Sequence, residues 1–180
     1  PEVIQTIEVL EAMTTDSAIL PPSIDPKTKK LGIRSVRAVN MAGTRTECQV
    51  RDFPTVVTDE PDTLGGTNTA PSPLETALVS LVGCDGVIIN GVANAMGFDY
   101  AKVELDCSSQ IDIRGPKGVP GIRPYFESLE LSIVVYTDED DKRFEQLQKN
   151  VEFRCPVMNL FRAAQVEMDV KWSKRPKAQA

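Results

Sequence analysis

Histidine is absent from this 180-residue chain. Without an imidazole there is no Ser-His or Cys-His base pair, no H-E-x-x-H zinc site and no histidine metal ligand. Cysteine is scarce. Cys48, Cys84, Cys107 and Cys155 include no C-x-x-C pair, so neither a zinc ribbon nor a thioredoxin-type motif is supported, and no metal or other bound cofactor is expected. Basic charge is also short: 20 Lys plus Arg stand against 26 Asp plus Glu, and the one block of like charge, Asp138 to Asp141, is acidic. Nucleic acid is therefore not an expected partner, because phosphate binding needs a basic face. The most apolar stretch is interrupted by Ser80, Gly83, Cys84, Asp85, Gly86, Asn90 and Gly91, which predicts no membrane span. The first residues, PEVIQTIEVLEAM, carry neither the basic flank nor the apolar centre of a signal peptide, and this predicts a cytoplasmic protein. Any enzymatic chemistry must come from Cys, Asp, Glu, Lys, Arg, Ser or Tyr.

What the chain does have is one long helical stretch, Ser72 to Gly97. Ser72 suits the N-cap, Pro73 the first helical position and Glu75, three residues after the cap, the glutamate of a capping box. Beyond them the stretch is apolar on nearly every face, from Ala77, Leu78 and Val79 to Val92, Ala93 and Met96. A helix with no polar side needs other structure all around it. Cys84 sits in its middle, with Ser80, Leu81, Val87 and Ile88 three or four residues away and Ala77 and Gly91 seven away along the same side. The reading is a central buried helix that carries a thiol.

The remaining segments follow the strand period or the turn signals. Residues 1–32 read as an accessory arm, with a short amphipathic helix over Glu2–Met13 and an extended connector through Pro21, Pro22 and Pro26. Strands are predicted over Arg34–Met41, Thr44–Arg51 and Pro54–Asp59, followed by a loop with Gly65 and Gly66. After the long helix, Val103, Leu105, Cys107, Ser109, Ile111 and Ile113 alternate with polar residues as a half-buried strand. Gly115 to Pro124 forms the tip of a hairpin, and Phe126–Tyr136 is the return strand. Thr137 is predicted to cap a helix running to Val151, a short helix starts at Cys155-Pro156, and a last strand follows through Val166, Met168, Val170 and Trp172. One domain spans 33–173, and 174–180 is expected to be a disordered tail.

Cys48 and Cys107 fall on the apolar sides of predicted strands and read as small core residues. Cys155 differs. With Pro156 as the first helical residue, Cys155 takes the N-cap, where unpaired N–H groups stabilise a thiolate. Cys84, buried among apolar groups, needs a cation from another segment to become reactive. In a chain without histidine that cation is Arg or Lys, and Arg45, Arg51 and Arg37 on the first two strands are the candidates.

The order D-E-P…G-G…P-S-P-L-E-x-A-L-x-S-L-x-x-C, a long hairpin, a helix, C-P-V and a final V-E-M-D-V-K-W strand resembles the OsmC/Ohr superfamily (osmotically inducible protein C and organic hydroperoxide resistance protein) over roughly residues 33–173. The resemblance implies an α+β fold in which antiparallel sheets wrap a long central buried helix and two chains intertwine as a homodimer. It implies thiol-dependent reduction of organic hydroperoxides in oxidative-stress defence, with an apolar pocket for the substrate. Cys84 would be the peroxidatic thiolate and Cys155 the resolving thiol, the disulfide being reopened by an external dithiol reductant.

The family's peroxidases also hold the thiolate with an arginine, and the arginine with a glutamate early in the central helix. Arg45 stands nearest to the arginine's place, with Arg51 second. Leu74 occupies the position where the glutamate usually stands, and Glu75 comes one residue late, a rotation of about 100° on a helix. The capping-box role accounts for Glu75 without catalysis. The alternative reading is accordingly a non-peroxidatic OsmC-like protein whose pocket binds a small apolar or thiol-reactive ligand.

Overall fold

The computed structural model describes residues 29–180, so the expected helix over Glu2–Met13 and the three connector prolines lie outside the described residues. The described chain divides into two compact units at Ser80/Leu81.

The first unit holds a small antiparallel sheet, β1 (Arg37–Asn40), β2 (Thr46–Gln49) and β3 (Val56–Thr58), in the order β1-β2-β3. Cys48 lies opposite Ala38 on one side and Val56 on the other. All three strands are shorter than their alternation suggests, because polar side chains take over the backbone at both turns. The Asn40 amide donates to the Gly43 and Arg45 carbonyls, each at 3.1 Å, and closes the first turn. The Gln49 amide donates to the Arg51 and Phe53 carbonyls at 2.8 and 2.7 Å and closes the second. Arg51 itself adopts φ 49°, outside any strand, which corrects its placement on β2.

The D-E-P…G-G segment is built around a buried carboxylate. Asp59 is fully buried. Its Oδ1 accepts from the Thr44 hydroxyl at 2.6 Å, and its Oδ2 from the Thr67 hydroxyl (2.6 Å) and amide (3.1 Å) and the Thr69 hydroxyl (3.0 Å) and amide (3.2 Å). These donors, the Thr44 hydroxyl foremost, hold the Asp59 carboxyl far below the usual carboxylate range despite its burial. The loop returns so tightly that a Cβ on Gly66 would run into the Glu60 carbonyl, which is why glycine stands there.

The long helix is α1 (Pro73–Met96). Ser72 and Glu75 form the capping box: the Glu75 carboxylate accepts from the Ser72 amide at 2.7 Å and the Ser72 hydroxyl from the Glu75 amide at 3.2 Å. At the other end Gly97 takes φ 59°, and the Gly97 and Phe98 amides close back on the Asn94 and Ala93 carbonyls, a Schellman stop. Within one chain α1 is not buried on every face. Leu81, Asp85, Ile89, Val92 and Ala93 form the buried stripe, while Val79 and Val87 are 61% and 69% exposed. At 24 residues and a mean hydropathy of 1.7 in its most apolar window, α1 has the length and composition of a bilayer-crossing helix, a property that the core helices of globular domains share. An ionisable residue, Asp85, lies inside its buried stripe.

The second unit holds β4 (Lys102–Gln110), β5 (Ser128–Tyr136) and β6 (Glu167–Arg175), with α2 (Asp141–Arg154) and α3 (Pro156–Ala163) between β5 and β6. β5 is central and buries Leu129, Leu131, Ile133 and Val135 on one face. β4 pairs with it antiparallel, Leu105 opposite Ile133. β6 pairs with it parallel, from Ser128 opposite Glu167 to Tyr136 opposite Arg175, so the sheet is mixed rather than antiparallel throughout. The reason is the two-helix crossover, which returns the chain to the end of the sheet where β5 began. The core is completed by Leu81, Ile89 and Val92 of α1, Leu147 and Val151 of α2 and Met158 of α3. Asp140, not Thr137, caps α2, accepting from the Arg143 amide at 2.8 Å, while the Thr137 hydroxyl donates to the Asp99 carbonyl at 2.6 Å. Nor does the chain fray at 174: β6 runs to Arg175, a 3₁₀ turn covers Lys177–Gln179, and the Lys177 ammonium meets Asp99 at 2.5 Å.

The Asp59 cluster predicts a specific acid sensitivity. Because the folded value is depressed, the stabilisation is complete above the ordinary carboxylate value of about 3.9 and is lost as pH falls below it toward the folded value. Asp59→Asn should lower Tm at pH 7 and flatten the acid limb of the stability curve, measured by thermal melts across pH.

Candidate active site

Two chain segments of the second unit bring thiols together. α1 presents Cys84, half-buried, and beside it on the helix Asp85. The α2–α3 junction presents Cys155. Pro156, with no amide hydrogen to lose, starts α3, so Cys155 stays extended at φ −68°, ψ 109° as its N-cap. The Cys155 sulfur accepts from the Met158 amide at 3.4 Å, and the residue is fully buried. Asn159 locks this corner by donating to the Glu152, Phe153 and Cys155 carbonyls at 2.8–3.2 Å. The Cys155 thiol lies within polar reach of both the Asp85 carboxyl and the Cys84 thiol.

The electrostatics of this corner differ from the sequence expectation. The Met158 amide does favour a Cys155 thiolate, but burial and the Asp85 carboxyl outweigh it and push the Cys155 thiol well above the usual thiol range. The helix N-terminus therefore positions this sulfur without ionising it at rest. Cys107, on β4, is pushed up to about 11 by burial and by the same carboxyl.

Asp85 is the member that sequence reasoning missed. It was read only as an interruption in an apolar run, yet it is fully buried and neither of its oxygens has a hydrogen-bond partner at ordinary geometry. Burial raises its value, opposed by Cys155 and by the Arg162 guanidinium and assisted by Glu152. The cation in this cluster is thus Arg162 of α3, ion-paired with Glu152 at 2.7 Å and donating to the Glu152 carbonyl at 3.0 Å. A buried ionisable residue breaking an apolar helical stripe was the available signal for Asp85; Arg162 left no signal that spacing could separate from a solvent-facing arginine.

The other nominated residues have local occupations in the first unit. Arg45 pairs with Glu47 at 2.9 Å and donates to the Thr69 hydroxyl at 3.3 Å. Arg51 stacks on Phe53 at 4.5 Å from the ring centre. Arg37 lies opposite Gln49 in the β1–β2 ladder. Glu75 is held in its capping box, and Leu74 beside it is 40% exposed. A depression of about 380 Å³ at the second sheet is lined by Asp106, Cys107, Ser108, Glu130, Leu131, Ser132 and Lys171, and includes neither Cys84 nor Cys155. Among the described residues, no group of three or more Cys, Asp or Glu is placed to hold a metal ion.

Two three-stranded sheets, a long helix that carries Cys84 and a second helix that starts at Cys155-Pro156 together define an α+β fold. The sequence profile of the family described as OsmC-like protein matches residues 66–171, and the chain belongs to that family. Solved structures agree on the fold. An OsmC-like protein from Mycoplasma pneumoniae superposes with a TM-score of 0.66 at 18% identity, covering 79% of this chain and 97% of that one. An organic hydroperoxide resistance protein from Elizabethkingia anophelis gives 0.64 at 16%, covering 82% and 100%. The organic hydroperoxide resistance protein OsmC from Legionella pneumophila gives 0.57 at 20%, covering 81% and 98%. No curated protein matches the sequence.

The raised thiols predict a reactivity order. In the folded protein Cys155 and Cys107 should alkylate far more slowly at pH 7 than an exposed thiol, and the rate at Cys107 should climb until pH reaches about 11. Mass-spectrometric mapping of iodoacetamide adducts against pH measures both.

Proposed function

We propose that this protein reduces organic hydroperoxides with a cysteine pair, as part of oxidative-stress defence. Cys84 attacks the O–O bond as thiolate, releases the alcohol and becomes a sulfenic acid. Cys155 condenses with it to a disulfide and water, and an external dithiol reopens the disulfide. The observation that carries this reading is that two separate elements bring the Cys155 and Cys84 thiols near enough to influence one another. Four unpaired cysteines suit a reducing compartment such as the cytoplasm. A second reading, binding of a small apolar or thiol-reactive ligand without turnover, is favoured by Leu74 in the glutamate's place and by the raised Cys155 thiol.

A thiol count before and after one equivalent of cumene hydroperoxide separates the two. The expected result is loss of two thiols in the wild type, no reaction in Cys84→Ser and a trapped sulfenic acid in Cys155→Ser. Survival of all four thiols in the wild type selects the binding reading.

The working unit is a homodimer in this proposal. Its support is the uncovered apolar side of α1, with Val79 and Val87, and a first strand exposed at all four positions. Sedimentation should give twice the chain mass, and Val87→Asp should shift the protein toward monomer by placing a charge in the buried contact.

A further inference from the structure

Asp85 is a buried carboxyl with no hydrogen-bond partner at ordinary geometry and with the Cys155 thiol within polar reach, and such a group is costly unless it is neutral or used. It is placed beside a thiol that must lose a proton in order to react. Four elements and one junction contribute the groups that surround it: Cys155 at the α2–α3 junction, Cys107 on β4, Arg162 on α3, Glu152 on α2 and Cys84 next to it on α1. Of these, Cys155 is the one that is fully buried and has to ionise without access to water. A solvent base cannot reach it. Asp85 can.

We propose that Asp85 is the proton-transfer residue for closure of the Cys84–Cys155 disulfide. This rests on the peroxidatic reading above for its chemistry. In the step, the Cys155 S–H bond breaks and its proton passes to an Asp85 oxygen. The Cys155 sulfur attacks the Cys84 sulfenic sulfur, forming the S–S bond as the S–O bond breaks. The departing hydroxide takes the proton from Asp85 and leaves as water. The two thiols supply the two electrons already passed to the hydroperoxide, and Asp85 ends the cycle as it began. Burial makes the carboxyl a stronger base than an exposed one, and the Arg162 guanidinium beside it limits how far its charged form is penalised, although Glu152 works against it. The same two requirements, an ionisable group and no competing hydrogen-bond partner, explain why the carboxyl is left without donors here while Asp59 is surrounded by them.

The test uses Asp85→Asn, near-isosteric and uncharged, in the full chain, with thermal melts to establish that it folds. Two reactions are followed. In the first, cumene hydroperoxide forms the sulfenic acid and closure is timed by quenching. In the second, an aromatic disulfide such as Ellman's reagent loads Cys84, and attack by Cys155 releases the second aromatic thiol, so closure is read without any hydroperoxide. Timed from the sulfenic acid or the mixed disulfide already formed, Asp85→Asn should close the disulfide about 100-fold more slowly in both reactions. Closure at the wild-type rate in both makes Asp85 a structural carboxyl and overturns the proposal. If no sulfenic acid forms in the wild type, yet Asp85→Asn slows the second reaction, the hydroperoxide reading fails and the proton transfer stands. The wild-type pH profile decides independently of any variant: an internal base gives a closure rate that levels off below pH about 8, whereas a rate still rising tenfold per unit beyond the usual thiol range of about 8.5 means that Cys155 ionises unaided.

Discussion

Pro156 fixes where the second thiol goes, and the rest of the site follows from that. A proline has no amide hydrogen and a fixed φ, so the chain cannot carry α2 straight on through it; it must end one helix and start another. Cys155 is the residue caught between, extended, capping the new helix through its sulfur and shut away from solvent. Asn159, one turn further on, ties the carbonyls of the old helix's end to the new one. The corner is therefore rigid, and the thiol it holds is aimed at α1 rather than at water. On α1 the two adjacent residues Cys84 and Asp85 then present a sulfur and a carboxyl to it together.

The two buried carboxylates show how one side chain can serve opposite ends. Asp59 accepts five hydrogen bonds from Thr44, Thr67 and Thr69, which keep it ionised and make it the post on which the loop before α1 is wound. Asp85 accepts none of ordinary geometry, and desolvation outweighs the opposing Cys155 thiol and Arg162 guanidinium. A threonine-rich loop can converge donors on a point because each threonine offers both an amide and a hydroxyl. A helix interior cannot, since its amides are committed to the helix. A carboxyl placed there stays chemically available.

Much of this was legible in the sequence, and the parts that were not share a cause. The capping box at Ser72 and Glu75, the stop at Gly97, the alternation of β5 and the proline after Cys155 are local signals, each set by residues within a few positions of one another. The thiolate expectation at Cys155 failed because a helix N-cap is local, whereas burial and the charge of Asp85 come from the fold. The parallel pairing of β6 depends on a crossover, which alternation does not encode. Strand ends over-ran because Asn40 and Gln49 spend their amides on turns, a choice that is invisible until the carbonyls they serve are placed. Arg162 belongs to the cluster through its ion pair with Glu152, ten residues away across the α2–α3 corner.

The uncovered side of α1 bears on the chemistry as well as on assembly. The helix spends its buried stripe, Leu81, Asp85, Ile89 and Val92, on its own chain, and that stripe includes the unpartnered carboxyl. Its exposed side is apolar and small, with Gly83, Val87 and Gly91 allowing close approach of another backbone. Covering that side would lower the local dielectric around residues 84 and 85 without touching either of them directly. A lower dielectric strengthens each electrostatic interaction in the cluster and further favours the neutral forms of thiol and carboxyl. The transfer from the Cys155 thiol then starts from the share of Asp85 that is ionised, and a drier surrounding makes that share a stronger base while making it smaller, so what covers this helix also bears on the thiol chemistry.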